Sequence, residues 1–121
     1  MRQFDHEKLN VYQSSIRFVT WSTAVLQDIP KSTAIHNQLD RASISVPLNI
    51  AEGNGKYTSA DRCRFFDIAR GSALECAACL DVLMARKLIE PALAESGKEI
   101  LVEIVSMIVG LIRSNSDTRH V

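Results

Sequence analysis

Four polar side chains within the stretch QLDRASISVPLNIAEGNG, residues 38–55, have the types and spacing to do chemistry. Arg41, Ser45, Asn49 and Glu52 follow one another at steps of four, four and three, which stacks them along one side of a helix. A guanidinium, a hydroxyl, a carboxamide and a carboxylate in line offer an anion anchor, hydrogen-bonding groups and a base. Leu39, Ala42, Val46 and Ile50 flank this line on one side, and Ile44, Leu48 and Ala51 on the other. Both flanks call for burial, so the line is expected at a packed boundary rather than in open water. Pro47 cannot donate to the Ser43 carbonyl and is expected to kink the helix.

If the following helix folds back around a turn near Lys56, antiparallel geometry brings residues whose numbers sum to about 113 to one level. Arg41 then faces Ser72, with Glu75 one turn away, and Glu52 approaches Arg62. On a functional reading, Arg41, Ser45, Asn49, Ser72 and Glu75 form a pocket for a small molecule or for catalysis. On the structural reading, which is the expectation, these groups satisfy one another inside a bundle or across a subunit boundary. Serine without a histidine base is a poor nucleophile, and carboxylates on different levels make no acid/base pair. No enzymatic activity is expected.

Other chemistry-bearing residues read as structural. Cys76 and Cys79 form a CxxC, but both fall on a helical seam, with no second CxxC or neighbouring histidine to complete four ligands. His6, His36 and His120 are far apart, and the Glu-x-x-His pairs of a di-iron bundle are missing. No metal or cofactor is expected.

The elements that must position these residues are all helical, because the apolar repeats run at steps of three and four. A first helix is expected from Asp5 or His6 to before Pro30. Its packing seam is Leu9, Tyr12, Ile16, Val19, Thr23 and Leu26, and a second stripe of Val11, Phe18 and Val25 has Trp21 nearby. One face serves the core and the other needs a partner. Ser32 or Thr33 caps the second helix, which ends at Gly53-Asn54-Gly55. Thr58 and Asp61 have capping-box spacing and open a third helix that runs to about Leu88. Its seam is Phe65, Ala69, Ser72, Cys76, Cys79 and Leu83, and Gly71 suggests a close neighbour. Pro91 starts a short helix, and Ser96 with Glu99 opens the last one. That helix is apolar almost all round from Ile100 to Ile112, more than a four-helix monomer buries, so an oligomer is expected. A polar tail occupies about 114–121.

The chain has 121 residues, enough for one domain with a genuine core. Lysine plus arginine equal aspartate plus glutamate at 14 each, so no global positive field recruits nucleic acid or an anionic membrane. Three cysteines and a polar start without a signal peptide favour the cytoplasm. The longest apolar run falls short of the roughly 20 residues of a membrane span. Lys56, Arg62, Arg64 and Arg70 nevertheless cluster at the second turn. Repeated around a ring, they would form an RNA-contacting rim. Glu95, Glu99 and Glu103 form an acidic stripe on the last helix.

The segments FDHEKLNVYQSS, QLDRASISVPLNIAEGNGK and FFDIARGSALE resemble the successive signatures of the four-helix-bundle proteins encoded in intervening sequences of bacterial 23S ribosomal RNA genes. The most specific part is SVPLNIAEG at residues 45–53, followed by Gly71, Ser72 and Glu75. The resemblance implies an all-α, antiparallel up-and-down four-helix bundle, kinked at Pro47, assembling into ring-like homopentamers. It carries over Gln38, Arg41, Ser45, Asn49, Glu52, Gly53, Gly71, Ser72 and Glu75, none of them as a catalytic residue. The related accessory proteins of diversity-generating retroelements act beside a reverse transcriptase and its RNA through strongly basic surfaces. This chain is neutral overall, Asn54 stands where the family often has an aromatic residue, and the last helix carries no matching signature. The function expected is that of a non-enzymatic homo-oligomeric interaction or RNA-associated accessory protein. The alternatives are a protein-binding scaffold without nucleic acid, and a small-molecule binder using Arg41, Asn49 and Glu75.

Overall fold

The computed structural model describes residues 2–116. After a 3-10 turn at Asp5–Lys8 come four helices, α1 (Asn10–Leu26), α2 (Ala34–Asn54), α3 (Ser59–Ala85) and α4 (Pro91–Asn115), with no strand among the described residues. The helices form a bundle in which α1 packs on α2 and α4, and α3 packs on α2 and α4. Gln38 meets Glu75 and Ser45 meets Ser72, so residue numbers rise along α2 as they fall along α3.

Local chemistry explains most boundaries. The Thr33 hydroxyl accepts from the His36 N–H at 3.3 Å, and the Thr58 hydroxyl accepts from the Asp61 N–H at 3.1 Å. Each satisfies a backbone donor that has no partner within its helix. Pro91 occupies the first turn of α4, where its missing N–H is harmless. Lys87 alone among the described non-glycine residues has positive φ, 58°, and it closes α3 where a helix commonly ends in the left-handed region. Helix α2 runs unbroken through Pro47.

Several expectations change. The first helix is split, because Leu9 is extended between the 3-10 turn and α1. The buried apolar face of α1 is Val11, Phe18 and Val25 together with Leu26 of the expected seam, whereas Ile16 and Thr23 of that seam are exposed. Ser14, Ser15 and Ser22 fill the remaining core-facing positions. Ser15 and Ser22 donate to their own helix, to the carbonyls of Tyr12 and Val19 at 2.6 and 3.1 Å, which lets a polar residue sit in the core. Helix α3 stops at Ala85, short of Leu88. Pro91 and Ser96 belong to one continuous α4, and Ser96 donates to the Leu93 carbonyl at 2.7 Å instead of capping. Helix α4 extends into the polar tail as far as Asn115; residues 117–121 of that tail, including His120, lie outside the described residues.

The core joins Phe18, Leu39, Phe66, Leu80 and Ile104 from all four helices, each 1% exposed or less. Two glycines permit close approach. A Cβ on Gly53 would lie 2.8 Å from the Phe66 ring, and one on Gly97 would lie 2.7 Å from Trp21 Cζ2. Gly71, by contrast, meets nothing within the chain. Replacing Gly97 with alanine should therefore destabilise the fold by about 1–3 kcal/mol through overpacking, while Gly71→Ala should not. Urea denaturation of the two variants beside the parent chain checks this.

Candidate functional site

The polar line of α2 lies on the surface seam between α2 and α3, not inside the bundle. Leu39, Ala42, Val46 and Ile50 are buried, but Ile44 and Leu48 on the opposite flank are 43% and 62% exposed. Only one of the two apolar flanks is covered by the chain itself.

Along this seam Ser45 and Ser72 share a hydroxyl hydrogen bond of 2.7 Å. The Asn49 amide donates to the Ser45 carbonyl at 2.8 Å and to its hydroxyl at 2.9 Å. Gln38 donates to the Glu75 carboxylate. Ser45 rather than Arg41 thus bonds Ser72, one helical turn from the expected partner, while Gln38 and Glu75 meet at the expected level. Arg41 is exposed and has no hydrogen bond or ion pair among the described residues. Glu52 pairs at 3.5 Å with Lys56, just past the end of its own helix, and not with Arg62. The structure brings together Gln38, Ser45, Asn49, Ser72 and Glu75, and leaves Arg41 and Glu52 outside.

The basic turn divides into two kinds of cation. Arg62 is structural: it donates through Nη1 to the Asn54 carbonyl at 2.5 Å and the Lys56 carbonyl at 3.2 Å, and through Nε to Asn115 Oδ1 at 2.8 Å. Its guanidinium also lies 5.8 Å from the centre of the Phe66 ring. Lys56 and Arg64 lie 5.0 and 4.7 Å from the centre of the Phe65 ring, an arrangement of cations on an aromatic face. Each also has a carboxylate neighbour, Glu52 for Lys56 and Asp61 at 4.0 Å for Arg64; Asp67 lies 3.4 Å from Arg70. Tyr57 beside them is fully exposed. The fixed anchoring of Arg62 by Asn54 and Asn115 was not legible, because the partners come from three separate segments.

The cysteines offer little chemistry. Burial, reinforced by the neighbouring Cys79 and Glu75, raises the Cys76 thiol to about 12, and burial with Glu75 raises Cys79 to about 11. Both stay protonated at neutral pH, and a thiol is a weak nucleophile and metal ligand. Among the described residues no group of three or more His, Cys, Asp or Glu side chains is placed to hold a metal ion. No helix there is long and apolar enough to cross a membrane.

A second surface feature escaped the sequence reading. An open apolar groove of about 370 Å³ runs between α3 and α4, lined by Ala73, Leu74, Ala77, Leu101, Val102 and Val105, with Lys98 and Ser106 at its edge. Leu74 and Val102 are 49% and 68% exposed. The all-round apolarity of α4 was the available signal.

The sequence pattern of the 23S rRNA-intervening sequence protein family matches residues 7–110. The chain belongs to that family. This intervening-sequence protein is also similar to a crystal structure from Bacteroides thetaiotaomicron, described as a protein with unknown function from the S23 ribosomal protein family. The TM-score is 0.79 at 23% identity, over 84% of this chain and 97% of that one. At that identity the likeness establishes the shared helical fold. No curated protein matches the chain.

In this intervening-sequence protein Arg62 closes the end of the bundle, whereas Arg64 stands at its surface. Arg62→Ala should lower unfolding stability by about 1–3 kcal/mol, because two buried or half-buried carbonyls lose a charged donor. Arg64→Ala should change it by less than about 1 kcal/mol. Thermal and urea melts of both variants check the contrast.

Proposed function

We propose that this chain is a non-enzymatic homo-oligomer, an antiparallel up-and-down bundle bent at Pro47, that acts in the cytoplasm as an interaction or RNA-associated accessory protein. The observation that carries the assembly is the set of large apolar side chains left in water: Ile44, Leu48, Leu74 and Val102 on α2, α3 and α4. Large apolar side chains exposed on α2 and along the α3–α4 groove mark interfaces. The polar seam supports a non-catalytic role, since Ser45 and Ser72 bond to each other and, among the described residues, no histidine is paired with either. Small-molecule binding has less support: Arg41 lies apart from the bonded set of Asn49, Ser45 and Ser72.

The family resemblance implies a ring-like pentamer. Light scattering of the eluting protein should then give about five times the 13.4 kDa chain mass, constant over a wide dilution range. A monomer at all concentrations rules the assembly out.

RNA association is the second reading, favoured by Lys56 and Arg64 on Phe65 with Tyr57 exposed alongside. Nearby carboxylates offset these cations in a single chain, so appreciable affinity depends on their repetition around an assembly. A structured ribosomal RNA fragment should bind saturably, weaken as salt rises, and bind less to Lys56→Glu/Arg64→Glu. Absence of binding at both low and physiological salt leaves the protein-binding scaffold.

A further inference from the structure

We infer that two copies of this chain meet head to tail, with the exposed strip of α2 on one copy seated in the α3–α4 groove of the next. This deepens the assembly reading above by stating which surfaces touch.

The two surfaces are unlike in shape, and an unpaired charge of opposite sign stands beside each, Arg41 on the ridge and Glu99 next to the groove. Arg41, Ile44 and Leu48 stand at positions i, i+3 and i+7 of α2, so they share one outward ridge. Leu48 is 62% exposed on it, and Arg41 has no partner among the described residues. The ridge is convex and apolar, with one unanswered positive charge.

The groove is concave and apolar, about 370 Å³ in volume, and small residues Ala73 and Ala77 form part of its lining. Val102, 68% exposed, stands on its α4 wall. Glu95, Glu99 and Glu103 follow one another on α4 at steps of four, and Glu99 lies three residues before Val102, its neighbour on the helix surface. None of the three has a hydrogen bond or ion pair among the described residues. Like charges at that spacing oppose one another, and a cation from outside relieves them. Lys98, which precedes Glu99 in the same turn of α4 and lines the groove, is already paired with Asp81. Glu99, beside Val102 on the outer side of α4, is therefore the carboxylate that a free arginine on the ridge can answer, while the aliphatic side chains of the ridge fill the apolar floor lined by Ala73, Ala77 and Leu101.

Because ridge and groove are different patches, the contact is heterologous. Each copy retains a free ridge and a free groove after the first contact, so the contact repeats until it closes on itself. A two-fold pairing of α2 with α2 would instead set Arg41 against its own copy.

Cross-linking tests the geometry. In a Cys63→Ser background, Leu48→Cys and Val102→Cys chains are refolded separately and together, then treated with a short bismaleimide. The expected result is a covalent dimer from the mixture and none from either variant alone. A dimer from Leu48→Cys alone, or none from the mixture, overturns the inference. Charge reversal gives a second readout by light scattering on dilution. Arg41→Glu and Glu99→Lys should each raise the concentration at which the assembly falls apart at least tenfold. Both changes in one chain should restore it, and no restoration overturns the pairing. If the unaltered chain is monomeric throughout, the assembly reading fails with it. If the chain assembles but these tests fail, only the choice of surfaces is wrong.

Discussion

The close approach of α3 to α2 at Gly53 is the constraint on which the rest of the structure depends. The Phe66 ring occupies space that any side chain at Gly53 would claim, and Phe66 is fully buried. Arg62 sits over that ring and ties the end of α2, the turn and the end of α4 together. With this end fixed, the register along α2 and α3 follows. Ser45 comes opposite Ser72, and the longer side chains of Gln38 and Glu75 reach each other farther along. The same register turns Leu39, Val46 and Ile50 inward and leaves Ile44 and Leu48 outside. A helix bears apolar residues on two flanks, but a four-helix monomer covers only one.

Much of this was legible in the sequence, and the failures have identifiable physical causes. The caps at Thr33 and Thr58 were readable because a hydroxyl before a helical run satisfies a backbone donor there. The core flank of α2 followed from periodicity. In α1, periodicity marked Val11, Phe18, Val25 and Leu26, but not Ser14, Ser15 and Ser22, which count as polar in any apolar pattern although Ser15 and Ser22 hydrogen-bond to their own helix and pack inside. Ser96 and Glu99 imitate a capping box, yet Pro91 had already started α4 and propagation through them was favourable. Gly71 was read as a packing glycine, but within the chain it faces open space. The expected inter-helix level holds at Gln38 and Glu75, but Ser72 bonds Ser45 in place of Arg41, because the short hydroxyls meet only where the two backbones come close.

The candidate site was legible as a set of residue types and not as a unit. Steps of four and three placed Arg41, Ser45, Asn49 and Glu52 on one side of α2, but the seam with α3 is narrower than that side. Ser45 and Asn49 fall within it, half-buried and bonded, while Arg41 and Glu52 fall on the exposed shoulder. Glu52 then finds Lys56 just past the end of its own helix, and Arg41 finds no partner among the described residues.

That difference bears on how such a surface can be covered. Burying an unsatisfied hydroxyl or amide costs about 1–3 kcal/mol, so an interface containing serines and an asparagine usually needs partners for them on the other side. Here the hydroxyls of Ser45 and Ser72 and the amide nitrogen of Asn49 already hydrogen-bond within the chain. A second molecule that closes over the seam then has few polar groups to match, the side-chain oxygen of Asn49 among them, and apolar contact at Ile44 and Leu48 drives association. Arg41 is the exception, since a buried guanidinium without a counter-charge is strongly unfavourable. One unpaired cation on an otherwise self-sufficient apolar ridge therefore governs specificity more than affinity: it admits only a surface that brings a carboxylate to the same place.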